Sequence, residues 1–435
     1  MINQHINADN NGLIHLEGIY QLKKAETRSL FIGYKPFNLV TIDKPNLLID
    51  GANAKILVDL SDIDSEVNIF RLTRNAANVR LVNLHIEVII TGECNGQINI
   101  VHNSGRNNKI SNCKIDISGG CQFNANAIYN QANIDTHMDT PADNLTVSGN
   151  YITVRCSAAE TTKGSVLCGI NNHLANSINI SNNYLFIQNI GIGEKQQAIG
   201  MQNSGRFARI ENNNIKANAS HNTGKLLEQA HAYGVYNTGM YMVFTGNNCV
   251  GEWGGKCVGL YSGGAFVNIT GNKILATHTI MGRTVVLAAP HNILGNNIIT
   301  NTSRNPHFVE ILVGDNVVSN NYMQALSAPV DCFSGCGILV RGAEGQKITR
   351  CNISGNVVSN VKDFGIVLLH TEKNIIGGNQ LAKFTQDNNY TALYTENSDD
   401  KISDNLSDGQ NQLNVPELKD KLFRNYDEAV KSIIE

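Results

Sequence analysis

Read by its apolar and polar positions, the chain repeats one short phrase. An apolar residue, two small or polar residues, an asparagine, any residue and a second apolar residue recur along most of its length. The phrase is VSGNYI ending at Ile152, ISNNYL ending at Leu185, IENNNI ending at Ile215 and ITGNKI ending at Ile274. It returns as LGNNII near Ile298, VSNNYM ending at Met323, ISGNVV ending at Val358 and IGGNQL ending at Leu381. The asparagine is placed at Asn150, Asn183, Asn213, Asn247, Asn272, Asn296, Asn321, Asn356, Asn379 and Asn405, with Leu84 and Cys113 in the same place in two degenerate copies. The intervals from 84 to 405 average about 29 residues.

Each copy parses into three short strand-like runs separated by turns, as in CVGLYS (257–262), FVNI (266–269) and KILA (273–276). Such runs exclude a helical solenoid. Stacked copies would pair each strand in parallel with its counterpart, about 4.8 Å away. Asparagines at one turn then hydrogen-bond along the stack and satisfy backbone groups that a tight buried turn would strand. The expected organisation is an all-β coil over residues 1–410 and a C-terminal capping helix over 411–435. In that last segment Leu418, Leu422, Tyr426, Ala429, Ile433 and Ile434 fall near helical spacing, and a cap protects the open end of a sheet.

Composition narrows the picture. Charged residues are 16% and prolines number 7, against 39 glycines, which excludes both a disordered and a collagenous chain. A formal charge of −3 leaves no footprint for nucleic acid, and no apolar run reaches the roughly 18 residues that span a bilayer. Met1 to Tyr20 lacks the basic start and apolar core of a secretory signal. The expectation is a cytoplasmic protein, or one released by a phage or another non-classical route. The ten cysteines form no CxxC pair, so buried free thiols are expected rather than a zinc site.

The NNxI/SGNxI ladder resembles the single-stranded right-handed parallel β-helix of the pectate-lyase-like superfamily, over about residues 40–407. The resemblance implies about 12–13 coils and a carbohydrate-active protein. Its members include polysaccharide lyases, glycoside hydrolases, uronate epimerases and phage tailspikes, which bind an oligo- or polysaccharide along the first sheet. It also implies a homotrimer as one expected assembly, without membrane or nucleic-acid partners. The paired aspartates and Gly-His-Gly of polygalacturonases and the Asp-Pro-His-Asp of mannuronan epimerases are absent, and Asp135-Thr-His137-Met-Asp139 only faintly resembles the latter. No catalytic residue carries over from a family.

Three columns of residues line the expected sheet. A small–apolar pair precedes each ladder phrase: Gly169-Ile170, Gly200-Met201, Gly234-Val235, Gly259-Leu260, Val286-Leu287, Glu310-Ile311, Gly337-Ile338 and Gly365-Ile366. With alternating faces the first of each pair points outward, giving a glycine trough broken by Glu310. Two residues on, Asn171, Gln202, Tyr236 and Tyr261 read as a sugar-binding strip of amides and aromatic faces. Three residues before the glycines, Gln197, His231, Lys256, Arg283 and His307 bring basic groups to the sheet edge. Glu228, Glu252, Asp331, Arg341 and the lone tryptophan, Trp253, complete the candidate set.

Two reactions suit these residues. Hydrolysis or glycosyl transfer needs a carboxylate pair, Glu310 with Glu252 or Asp331, and is preferred because Glu310 stands in the more securely aligned column. Cyclising fructotransferases are a further relative on general resemblance. Elimination from a uronate needs a base and cations, which Lys256, Arg283 and His307 supply. A non-catalytic glycan binder of the tailspike kind needs only the tyrosine strip. No cofactor is expected, and Asp135, Asp139 and Asp143 read as a solvated loop rather than a metal site.

Overall fold

The structure, a computed structural model, describes residues 2–3, 12–23, 36–132, 142–157, 164–190, 196–220, 230–325, 335–383, 390–407 and 410–413. The chain divides into two compact units, Met1–Thr223 and Gly224–Glu435. In each, β-branched runs become short strands, and each strand pairs in parallel with its counterpart one repeat later. In the N-terminal unit Gln97–Asn103, Asn124–Gln131 and Val166–His173 stack as one sheet. Lys109–Ser111, Thr146–Ser148 and Asn179–Ser181 stack as a second. Lys114–Gly119, Tyr151–Ser157 and Tyr184–Ile190 form a third.

The C-terminal unit repeats the plan. His231–Asn237, Lys256–Ser262, Met281–Leu287, Asn305–Ile311 and Cys336–Arg341 form the sheet that carries the candidate site. The sample repeat resolves into Lys256–Ser262, Asn268–Thr270 and Lys273–Thr277, one residue or two from the expected runs. The all-β parallel coil is therefore the fold. Residues 410–413 form a strand on Thr391–Ser403, so the first residues assigned to the capping helix are strand; 414–435 lie outside the described residues.

Asparagine holds successive coils in register. The Asn272 side-chain amide donates to Asn297 Oδ1 at 3.0 Å, to the Phe244 carbonyl at 2.9 Å and to the Thr270 carbonyl at 3.1 Å. Its backbone N–H donates to the same Asn297 Oδ1 at 2.9 Å. The pattern repeats at Asn150 and Asn183 in the N-terminal unit. In the C-terminal unit it recurs at Asn247, Asn297, Asn321, Asn356 and Asn379, whose last acceptor is Asn405. One residue of the expected ladder is corrected: Asn297, not Asn296, is the rung. Cys113 stands in for a rung, its N–H donating to Asn150 Oδ1 at 2.9 Å.

The residue before each rung explains the doubled Asn-Asn and Gly-Asn spelling. Asn83, Asn112, Gly149, Asn182 and Asn212 in the N-terminal unit have positive φ. So do Gly246, Gly271, Asn296, Asn320, Gly355, Gly378 and Asp404 in the C-terminal unit. Left-handed backbone favours glycine and tolerates asparagine or aspartate, so the pair encodes a left-handed turn followed by an amide rung.

The nine described cysteines are free thiols, and all but the half-buried Cys94 and Cys121 are buried. Burial pushes Cys168 and Cys257 up to about 12. Cys332 lies outside the described residues.

The ladder makes a direct prediction. Asn297→Ala leaves the N–H and amide of buried Asn272 without their acceptor and deletes three donated bonds. It should cost at least about 3 kcal/mol. Asn296→Gly, at the exposed left-handed position, should change stability by less than about 1 kcal/mol. Urea midpoints of the two variants would reverse this order if Asn296 were the rung.

Candidate active site

Strand register sets where each candidate stands, and it revises all three columns. Tyr236 pairs with Tyr261, Tyr261 with Val286, Val286 with Glu310, Glu310 with Leu339 and Leu339 with Val367. Glu310 therefore belongs to the tyrosine column, not the glycine column. The glycines do not line an outer trough. A Cβ on Gly234 would lie 2.4 Å from Cys249 Sγ, and one on Gly259 2.5 Å from Ile274 Cγ2. One on Gly337 would lie 2.4 Å from Val358 Cγ1. Those are core side chains, so these glycines admit the opposing wall of the coil rather than a ligand.

The basic column also divides. His231 pairs with Lys256 and Lys256 with Met281, whereas Arg283 pairs with Val258 and His307. Arg283 and His307 thus stand two residues further along the strand than Lys256. A slip of two keeps a side chain on its face, and the residues still converge. Glu310 sits between two guanidinium groups, with Oε2 3.3 Å from Arg283 Nε and Oε1 3.3 Å from Arg341 Nη2. Arg283 also donates from Nη1 to the Asn305 carbonyl at 3.4 Å. The Glu310 and Arg283 side chains are 9% and 11% exposed, whereas Arg341 keeps 44% and opens the cluster to solvent.

His307 is the sharpest feature. It is 2% exposed, and neither Nδ1 nor Nε2 has a hydrogen-bond partner. Burial drives its pKa well below the usual 6.5, and the charges of Arg283 and Arg341 push the same way. The ring is a neutral imidazole with a free lone pair. Lys256 is lowered by burial, with Glu310 opposing and Arg283 and Arg341 reinforcing the shift. Beyond Glu310 the same face turns apolar: Cys336, Leu339, Phe364, Val367, Leu369 and Tyr394 form a buried cluster. That wall lowers the local dielectric and strengthens every interaction beside it.

The remaining candidates fall elsewhere. Glu252 is buried on Asn248–Glu252, where it pairs with Thr277. By register it is two coils from Glu310 and at the opposite end of the neighbouring strand, about 15 Å or more at standard strand spacing. That is too far for a carboxylate pair. Glu228 and Asp331 lie outside the described residues, as do Asp135, His137 and Asp139, while Asp143 accepts the Asn176 N–H at 2.6 Å.

Tyr236 and Tyr261 stack on each other, with centroids 4.8 Å apart and planes 7° from parallel. Their facing surfaces are already in use, so the strip presents ring edges and hydroxyls. Trp253 stacks likewise on His278 at 4.6 Å. Tyr233, missed in the sequence, closes on Tyr236 edge-on at 5.2 Å, and His231 lies 6.1 Å from it. Burial pushes Tyr233 up to about 12. Its signal was its place two residues after His231, on the same face. Asn171 and Gln202 pair in adjacent coils of the N-terminal unit, as expected.

These features define a parallel β-helix with a buried ion cluster and a neutral histidine on the outer face of one sheet. No family model matches the chain, and no curated protein does. Among solved structures it is similar to DFA-IIIase from Arthrobacter chlorophenolicus A6 in complex with GF2, at 12% identity over 75% of this chain and 83% of that one, with a TM-score of 0.42. It is similar to a PL6 alginate lyase in complex with trisaccharide, at 12% identity over 95% and 84%, with a TM-score of 0.44. It is also similar to a tailspike protein mutant of E. coli bacteriophage HK620 in complex with pentasaccharide, at 12% identity over 91% and 65%, with a TM-score of 0.44.

Two stability predictions follow from the geometry. Glu310→Gln leaves two guanidinium groups without their shared carboxylate and should cost about 3 kcal/mol. Arg341→Gln, at a half-exposed position, should cost less than about 1 kcal/mol. Equal losses in urea unfolding would contradict the burial difference. The second concerns pH. The unfolded His307 takes up a proton near pH 6.5, the folded one only at lower pH. Below that value the unfolded state binds more protons, so stability falls as pH falls, by up to about 1.4 kcal/mol per pH unit. His102 is lowered in the same direction, so the readout is a difference: His307→Gln should lose less stability than wild type between about pH 7.5 and pH 5.5. Parallel losses would show that His307 is protonated when folded.

Proposed function

We propose that the chain is a carbohydrate-active enzyme that holds an acidic glycan on the outer face of the C-terminal unit and breaks it by β-elimination. The observation that carries this reading is His307, a buried neutral imidazole whose ring nitrogens have no partner, in register with Arg283. A base that must remove a proton at neutral pH needs an unprotonated lone pair. Two guanidinium groups nearby suit the carboxylate of a uronate, whose charge grows as the proton leaves.

In this reading the uronate carboxylate docks against Arg283 and Arg341, and Glu310 fixes both guanidinium groups. His307 takes the C5 proton. The electron pair left behind forms the C4–C5 double bond, and the C4–O bond breaks. Lys256, made more acidic by burial, returns a proton to the departing oxygen. The stacked tyrosines offer hydroxyls to neighbouring sugars. A carboxylate-pair hydrolysis is supported less well, because Glu252 is remote from Glu310 by register and Asp331 lies outside the described residues.

The test is a panel of polyuronates and neutral glycans, followed by ultraviolet absorbance and by product size. Elimination alone creates an absorbing unsaturated uronate. The expected result is absorbance with a polyuronate that falls by about 10²–10⁴ in His307→Ala, with the variant's melting curve confirming that it folds. Shortened products without absorbance would replace elimination by hydrolysis. Binding without any cleavage would make the protein a glycan binder.

A further inference from the structure

Two thiols that take no part in the candidate centre meet at one corner of the N-terminal unit. Cys121 Sγ lies 4.0 Å from Cys94 Sγ and 3.9 Å from the Ile90 carbonyl oxygen. Register sets this meeting. Gln97–Asn103 and Asn124–Gln131 pair in parallel from Gln97 and Asn124 onward, and each cysteine stands three residues before its member of that pair. The two therefore hold equivalent places in successive coils, which are about 4.8 Å apart. That spacing lies inside the roughly 4.4–6.8 Å between Cα atoms that a disulfide spans.

The backbone before Cys94 is shaped for this contact. Strand His85–Cys94 keeps register with Lys114–Gly119 as far as Ile90 and Gly119. On its other side Ser61 pairs with Thr91 but Ile63 with Cys94, so His85–Cys94 carries one residue more than Leu48–Ile63 there. The bulge holds Gly92 at a φ of 75°, a left-handed position suited to glycine. Without the extra residue, period-two alternation would turn Cys94 to the other face. Access singles out the same two residues. Among the nine described cysteines, Cys94 and Cys121 are half-buried and the other seven are buried. Burial pushes Cys113 up to about 11 and Cys168 up to about 12, which keeps such thiols protonated and unreactive. Cys156 is buried and donates to the Cys121 carbonyl at 3.1 Å, which ties its thiol to the backbone.

We propose that Cys94 and Cys121 are a redox-active pair that closes to a disulfide between successive coils when hydrogen peroxide reaches it. The thiolate of one attacks the peroxide, the O–O bond breaks, and the sulfur becomes a sulfenic acid while the departing hydroxide takes up a proton as water. The second thiolate attacks that sulfur, forms the S–S bond and expels a second hydroxide, which is likewise protonated. In sum, two thiols give up two electrons and two protons, and one peroxide becomes two waters. Closure brings the sulfurs from 4.0 Å to about 2.05 Å. The bond staples the two turns that feed Gln97–Asn103 and Asn124–Gln131, so both strands start from one fixed point. The pair goes beyond the function proposed for the C-terminal unit and does not rest on it.

For the test, the full chain is reduced, freed of reductant and treated with a small excess of hydrogen peroxide. It is then alkylated after unfolding and digested without reduction. The expected result by mass spectrometry is a linked pair of peptides carrying Cys94 and Cys121, two hydrogens lighter than the reduced peptides together. The thiol count should fall by two from ten, and dithiothreitol should restore it. The urea midpoint of the oxidised chain should rise, because the bond joins residues 27 apart in the unfolded chain. That rise should be missing from Cys94→Ser treated alike. Recovery of the two cysteines as separate alkylated peptides, as sulfinic acids, or joined to other cysteines overturns the pair. A linked chain whose midpoint is unchanged or lower overturns the staple.

Discussion

The bond from one asparagine amide to the asparagine one coil on is the constraint on which everything else in each unit depends. A tight turn buries backbone donors and acceptors that water cannot reach, and each left unpaired costs about 1–3 kcal/mol. The rung satisfies them with one side chain whose donor and acceptor both point along the stack. It also fixes register. Once Asn272 is bound to Asn297, every residue between them has a determined neighbour, and the outer face becomes a grid of columns.

The fold was legible because that rung is written in the sequence at almost every repeat, preceded by a residue suited to left-handed backbone. The columns were less so. Two strands, Met281–Leu287 and Asn305–Ile311, have Thr284 and Phe308 where their neighbours have glycine. Aligning on small–apolar pairs slid them by two residues and put Glu310 into the wrong column. The error preserved the face, because a strand's side chains alternate with period two, so the right residues still met. What the sequence could not display was which way the glycines faced, since a missing side chain has no polarity to read. Nor could it show that the tyrosines stack on each other.

The cluster around Glu310 answers a problem that the fold itself sets. On a coil surface, neighbouring side chains are held about 4.8 Å apart whether or not their charges agree. Around Glu310, one carboxylate bridges two guanidinium groups and the adjacent imidazole stays neutral rather than add a third charge. His307 keeps a lone pair available because the backbone, rather than the histidine's own preference, dictates its neighbours. Its sheet alternates polar outer residues with a core of isoleucine and valine, so the fold delivers chemistry by column.

The central claim is that register places a neutral, unpartnered imidazole beside Arg283. Long-range proton–nitrogen spectra of the ¹⁵N-histidine-labelled protein, with His307 assigned by its loss in a variant, test this most directly. The account predicts that His307 shows one protonated and one unprotonated ring nitrogen and stays unchanged through pH 6, while exposed histidines titrate. A His307 whose two nitrogens are both protonated at that pH, or that titrates with the exposed rings, would contradict it.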